Sequence, residues 1–285
     1  MFESAKEGFS NLIDMQLGPD VLEPIERLRA ELSGRETDDF GFCPEKLKWV
    51  LPFAIFLYRH WFRVEVHGID ELPEGRTLFI ANHSGQIPID AAMIGTALML
   101  EADPPRAPRS MIERWVPSLP YLSTFFSRLG QVLGTPENCR HMLEQGAAVI
   151  AFPEGSRGIS KTIDKAYMLQ EFGHGFMRLA LETQTPIVPV AVVGAEEQYP
   201  ALWNMKSLAR ALGMPAFPFV INPFIPLIGF MPLPVKYRIY FGRPLQFEGD
   251  AGEDELQISQ KVSIVRDKIA ALIGRGLDER GGVFK

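Results

Sequence analysis

Apolar residues along this chain gather into short runs that stop at polar turns, and the runs alternate with stretches of helical spacing. Leu78 to Ala81 reads as a buried strand that ends at Asn82-His83-Ser84-Gly85. Pro88 then opens an apolar stretch, Ile89 to Leu100, that reads as a helix with Asp90 in its first turn. The pattern repeats from Ala147, where a strand runs into Phe152-Pro153-Glu154-Gly155-Ser156-Arg157-Gly158, and again from Ile187, where Val188-Pro189-Val190 runs on to Gly194-Ala195-Glu196-Glu197. Around these units lie further predicted elements. Val21, Leu22, Ile25, Leu28 and Leu32 make a helix after Asp20, and Lys46 to Phe62 a second. Val64 to Gly68 alternates as a strand, and Glu101 to Pro108 is a loop. A helix is predicted over 120–129, a strand over 131–133 and a helix over 136–145 capped by Thr135. A long helix follows from Lys165 to Glu182, then a strand at 237–241 and a helix over 253–273. Strands alternating with helices predict an α/β fold, a largely parallel mixed sheet flanked by helices. The expected organisation is an N-terminal helical element (1–62), an α/β domain (63–275) and a flexible tail (276–285).

Composition narrows the function. Apolar residues make up 46% and charged residues 22%, as in an ordinary globular protein. A net charge of -6, with no run of Lys or Arg, argues against nucleic acid as a partner. Cys43 and Cys139 lie far apart without metal-type spacing, so neither a disulfide framework nor a zinc site is expected. The first residues lack the basic and apolar regions of a signal peptide. The uncharged centre of the second helix, Trp49 to Tyr58, is too short to span a bilayer. Residues 211–235 carry no charge over 25 positions, but six prolines exclude a regular helix. This loop, with Phe217, Phe219, Phe224 and Phe230, is expected to form an apolar surface for acyl chain or membrane. The localisation expected is peripheral, on the cytoplasmic face of a membrane.

The chemistry sits at the strand ends, where open α/β sheets place their ligands. His83 is a candidate general base, and Asp90 a candidate partner that fixes its tautomer. Asn82-His83 with Asp90, Phe152-Pro153-Glu154-Gly155-Ser156-Arg157 and Val188-Pro189-Val190 together resemble the glycerolipid acyltransferase family. In detail the chain looks closest to the monoacylglycerol-acyltransferase-like branch. The resemblance implies transfer of a fatty acyl group from acyl-CoA or acyl-carrier protein to a hydroxyl of a glycerol-phosphate, lysophospholipid or glycerolipid acceptor, with no cofactor beyond the co-substrate. It implies substrate binding by Asn82, Ser84, Gly85, Glu154, Gly155, Ser156 and Arg157. Arg157 would meet a phosphate, and Glu154 would bind a glycerol hydroxyl or orient Arg157.

Two departures from the family pattern bear on this. Six residues separate His83 from Asp90 where the usual spacing is four, and Pro88 occupies the usual acidic position. The phosphate-binding arginine expected after the strand at 131–133 is missing, since no Arg occurs over 130–138. That leaves a neutral lipid alcohol open as acceptor. A His–Asp thioesterase or esterase, and a lipid-binding protein without catalysis, are the alternatives. Ser156 is not proposed as a nucleophile, because Glu154 breaks the Gly-x-Ser-x-Gly elbow.

Overall fold

The computed structural model describes residues 18–84, 88–112, 122–211, 217–225, 229 and 231–285. In chain order they form α1 (Pro19–Glu31), α2 (Pro44–Phe56), β1 (Glu65–His67), β2 (Thr77–Ala81), α3 (Ile89–Leu100), β3 (Arg109–Ile112), α4 (Leu122–Arg128), β4 (Gln131–Leu133), α5 (Pro136–Glu144) and β5 (Ala148–Ala151). There follow α6 (Ser156–Ile159), α7 (Gly175–Thr183), β6 (Ile187–Val193), β7 (Ala201–Asn204), α8 (Lys206–Ala211), β8 (Pro218–Val220), β9 (Arg238–Phe241) and α9 (Glu255–Glu279).

The main sheet has seven strands in the order β1-β9-β6-β2-β5-β3-β4. β6, β2, β5, β3 and β4 run parallel, and β9 joins β6 antiparallel with β1 beyond it. This is the mixed, mostly parallel sheet the sequence predicts. β2 and β6 are buried along their whole length, which is why they read as continuous apolar runs rather than alternating ones. Phe79, Val188 and Val190 face a core shared with α3, while Leu78, Ile80 and Ala191 face one shared with α5, α7 and α9. Each large apolar side chain so buried contributes roughly 1.5–3 kcal/mol. α1 and α2 pack through Val21, Ile25, Leu28, Leu47 and Leu51 against Met99 at the end of α3. Beyond Phe56 the helix widens for one turn, with the Phe62 amide donating to Leu57 O at 2.8 Å.

Three stretches differ from expectation. The helix predicted over Lys165–Glu182 begins only at Gly175. Residues 166–174 instead form a strap held by Gln170 N–H on Glu154 (2.9 Å) and Gly173 N–H on Pro153 O (2.9 Å). Phe172 is buried from this strap, so its apolar spacing imitates a helix. The last residues are not a loose tail. α9 continues to Glu279, and Lys236 N–H donates to Val283 O at 2.8 Å, while Arg238 reaches Lys285 O at 2.7 Å. Gly276 sits inside α9 and allows close packing. A Cβ on it would lie 2.7 Å from the Tyr240 ring and 2.8 Å from Val193. Finally, β3 escaped prediction, a four-residue strand just beyond a Pro-rich loop.

Among the described residues of the proline-rich region, β8 pairs with the unpredicted β7, and Asn222–Phe224 form a single 3-10 turn. Phe219 stacks on Trp203 (centroids 4.3 Å apart, planes 5° apart) and touches Phe224, which is 70% exposed. Phe217 is half-buried, its amide donating to Asn204 Oδ1 at 3.2 Å. Phe230 lies outside the described residues. Among the described residues no helix is long and apolar enough to cross a membrane.

Candidate active site

The ends of β2, β5 and β6 lie side by side, so the three polar turns meet. His83 follows β2. Its Nδ1 lies 2.8 Å from Asp90 Oδ2, so the long spacer does bring the two together. Asp90 is wholly buried at the start of α3. Its Oδ2 also accepts the Ser84 amide (2.9 Å), with Ser84 Oγ at 3.5 Å, and its Oδ1 accepts the Ala91 amide at 2.8 Å. An ionised carboxylate only accepts, so Nδ1 carries the proton and Nε2 is left with a free lone pair. The imidazole stacks on Phe152, ring centroids 4.2 Å apart, and its side chain stays 15% exposed. A histidine held this way can take a proton at Nε2 from a bound hydroxyl.

Asn82 and Ser84 hold the turn together. Asn82 is fully buried and exchanges two hydrogen bonds with the Val192 backbone, at 2.8 and 3.1 Å, which ties the end of β2 to β6. Ser84 is fully buried and directed at Asp90. The amides of His83 and Ser84 are both engaged, so neither is a free oxyanion donor. Gly85 lies outside the described residues.

Glu154 also differs from expectation. Its carboxylate is buried beneath the site, accepting the His83 amide at 3.0 Å and the Gln170 amide at 2.9 Å. It does not meet Arg157, whose guanidinium is exposed and pairs with Glu171 at 2.7 Å. Glu154 is therefore the brace that joins β5 and the strap to the His83 backbone. Gly155 adopts φ +54°, ψ −140°, a conformation that favours glycine. Ser156 is half-buried at the start of α6.

Two features were not picked out in the sequence as site residues. Lys161 is buried and lies 3.4 Å from Glu154 Oε2 and 2.6 Å from Glu196 Oε1, joining the second polar turn to the third. Burial pushes the Glu196 carboxyl up to about 7 against the opposing pull of Lys161. Gly158 lies against His83 itself. A Cβ there would lie 2.9 Å from His83 Cβ and 3.1 Å from His83 O. Gly158→Ala is expected to displace His83 and lower turnover about 10–100-fold with the circular dichroism spectrum unchanged, since small misplacements of a reacting group carry costs of that order. Normal steady-state rates in this variant would refute the tight packing.

A family model described as Acyltransferase matches residues 63–193, the segment that carries all three turns up to the end of β6. An uncharacterised protein of Mycobacterium tuberculosis is 36% identical over 267 residues, spanning 90% of this chain and 74% of its own length. The DGAT1/2-independent enzyme synthesizing storage lipids of Homo sapiens is 27% identical over 206 residues, 72% of this chain and 60% of that protein. The chain belongs to the glycerolipid acyltransferase family. The crystal structure of the 1-acyl-sn-glycerophosphate (LPA) acyltransferase PlsC from Thermotoga maritima superposes with a TM-score of 0.53 at 17% identity, covering 84% of this chain and 83% of that one, a likeness of fold. As an O-acyltransferase of glycerolipid type, the protein presents its histidine where the family fold is open, at the carboxyl ends of the parallel strands.

Proposed function

We propose that His83 is the general base of an acyl transfer from acyl-CoA or acyl-carrier protein to the hydroxyl of a glycerolipid acceptor. The observation that carries this reading is the 2.8 Å contact between His83 Nδ1 and a wholly buried Asp90, with the imidazole still reachable from outside. The acceptor hydroxyl gives its proton to Nε2 as its oxygen attacks the thioester carbonyl. The C–S bond then breaks, and the thiolate leaves with the proton that the imidazolium returns. Asp90 stabilises the imidazolium between these events. No protein nucleophile and no cofactor takes part.

Among acceptors we propose a neutral glycerolipid hydroxyl in preference to a glycerol phosphate or lysophospholipid. The absence of Arg over 130–138 and the exposed engagement of Arg157 with Glu171 support this. So does the kinship with animal enzymes that synthesize storage lipids. The test is release of free thiol from palmitoyl-CoA and from palmitoyl-carrier protein, each with monoacylglycerol, lysophosphatidic acid, lysophospholipid or no acceptor. Monoacylglycerol-dependent release supports the proposal. Release only with lysophosphatidic acid overturns the acceptor, and release without acceptor overturns the transferase in favour of the esterase.

The acceptor is delivered from a membrane to which the protein binds peripherally. Trp203, Phe219 and Phe224 form one aromatic array with Trp203 and Phe224 exposed, and Phe53 and Phe56 are exposed on α2. Trp61 joins α2 to the proline-rich loop, its ring tilted against that of Phe56 with centroids 6.4 Å apart and its indole donating to Pro232 O at 3.1 Å. With a net charge of -6, attachment relies on apolar insertion. Trp203→Ser with Phe224→Ser is expected to reduce flotation with neutral liposomes several-fold while sparing activity on detergent-dispersed acceptor. Unchanged flotation would remove this surface from the proposal.

A further inference from the structure

α2 and α4 meet at a corner and leave a groove of about 540 Å³ between them. The Cys43 amide, just ahead of α2, donates to Arg128 O, at the end of α4, at 3.1 Å. Lys46, in the first turn of α2, and Arg128 therefore stand at the same end of the groove. One turn onward along α2 come Trp49 and Val50, and one turn back along α4 come Phe125 and Thr124. The groove thus has a basic end and apolar walls, which Leu129 completes. α4 leads to the starting end of β4, whereas His83 and Glu154 follow the far ends of β2 and β5, so the groove is distinct from the candidate active site.

The two cations at its basic end are unused. Among the described residues neither the Lys46 ammonium nor the Arg128 guanidinium has a hydrogen bond or an ion pair. Glu45, beside Lys46 in the chain, is taken by Arg29 at 3.0 Å and by Lys48 at 3.3 Å. Among the described residues no acid lines the groove. Its outer wall is apolar and open to solvent, since Trp49 and Phe125 are both about half exposed. Trp49 also continues, at helical spacing, into the exposed Phe53 and Phe56, so the groove opens along the stripe of α2 assigned above to the membrane.

We propose that this groove holds one anionic phospholipid of the bilayer, its phosphodiester between Lys46 and Arg128 and the start of its chains along Trp49, Val50, Phe125 and Leu129. The proposal rests on the peripheral membrane binding proposed above and adds a choice of lipid to it. A phosphodiester offers two anionic oxygens, one for the guanidinium fork and one for the ammonium. A choline or ethanolamine head brings a cation of its own into a groove that has two and no acid, whereas an uncharged glycerol head does not. The apolar walls select a lipid over a free phosphate. The net charge of -6 repels an anionic surface as a whole, so the two bases act at short range on a single head. The lipid is a tether, and the acyl acceptor is bound at the other end of the strands.

The test is calorimetric titration of the full chain with dihexanoyl phosphatidylglycerol kept monomeric, which removes the bilayer and its surface potential. Dihexanoyl phosphatidylcholine and glycerol phosphate are run beside it. Phosphatidylglycerol is expected to bind at one site, about tenfold more tightly than either, as a charge-assisted hydrogen bond requires. Lys46→Gln and Arg128→Gln should each weaken it by about the same factor. Thr124→Trp keeps both cations, changes an exposed residue and fills the groove, so it should abolish binding without disturbing the core. Equal binding of the two phospholipids, equal binding of glycerol phosphate, or undiminished binding in Thr124→Trp would each overturn the proposal. Binding of acyl-carrier protein that is lost in the glutamine variants, with no preference for phosphatidylglycerol, would assign the groove to that carrier and overturn it too. Flotation of the same protein with neutral liposomes separates the two readings. Flotation without a preference for phosphatidylglycerol defeats the lipid choice alone, and one-site binding of phosphatidylglycerol without flotation supports the groove and defeats the insertion of the aromatic side chains.

Discussion

His83→Ala is expected to lower turnover about 10²–10⁴-fold while leaving lipid binding nearly intact, the range usual for removal of a general base. The structure gives two reasons to expect a clean effect. Among the described residues the imidazole makes one polar contact, to Asp90, and one stacking contact, to Phe152, and it is not what fills the core. The anchoring of the turn runs through the His83 amide on Glu154, which alanine keeps. Asp90→Asn makes the complementary case. An amide in that position can donate to Nδ1, which moves the imidazole proton to Nε2 and removes the base without removing the ring. It should fall below wild type by a comparable factor in kcat with little change in KM. Asp90 also accepts two backbone amides, so the asparagine variant is to be checked by thermal melting before its rates are read. Full activity of His83→Ala on the best acceptor would eliminate the proposed base.

Much of this geometry was legible in the sequence because it follows from burial. A strand covered on both faces has to be apolar throughout, and β2, β5 and β6 announced themselves that way. Their polar ends then marked the active rim. What could not be read was where side chains turn. Nothing in the one-dimensional pattern says that Glu154 points inward to two backbone amides and not outward to Arg157. The strap at 166–174 escaped for the same reason, because an extended segment pinned to Glu154 keeps the apolar spacing of a helix. Asn82 and Ser84 sit in the expected turn, yet their burial makes them struts. Gly158 was visible as part of the motif, but the reason for glycine, the proximity of His83 Cβ, exists only in three dimensions.

Lys161→Met carries the largest expected effect on stability. The Lys161 side chain is 4% exposed, and those of Glu154 and Glu196 beside it are 0% and 5% exposed. Removing the cation leaves two buried carboxylates without their partner, a change that typically costs about 3–5 kcal/mol. The sign with pH follows from Glu196. Its folded pKa, about 7, stands above the ordinary carboxyl value of 4.5, so the folded state holds this proton more tightly than the unfolded one. The stabilising contribution is therefore complete below the unfolded value and is lost as pH rises through the folded one. Without Lys161, which pulls that value down, the folded pKa rises further and the loss extends to higher pH. Urea unfolding at pH 5.5 and pH 8 should thus show a larger deficit for the variant at the alkaline value, and Glu196→Gln added to Lys161→Met should recover part of it. A deficit independent of pH would mean that the methionine acts through packing alone. A recovery of stability without recovery of turnover would place Lys161 in the support of the His83 backbone through Glu154, since the double variant restores the charge balance but not the contact with Glu154.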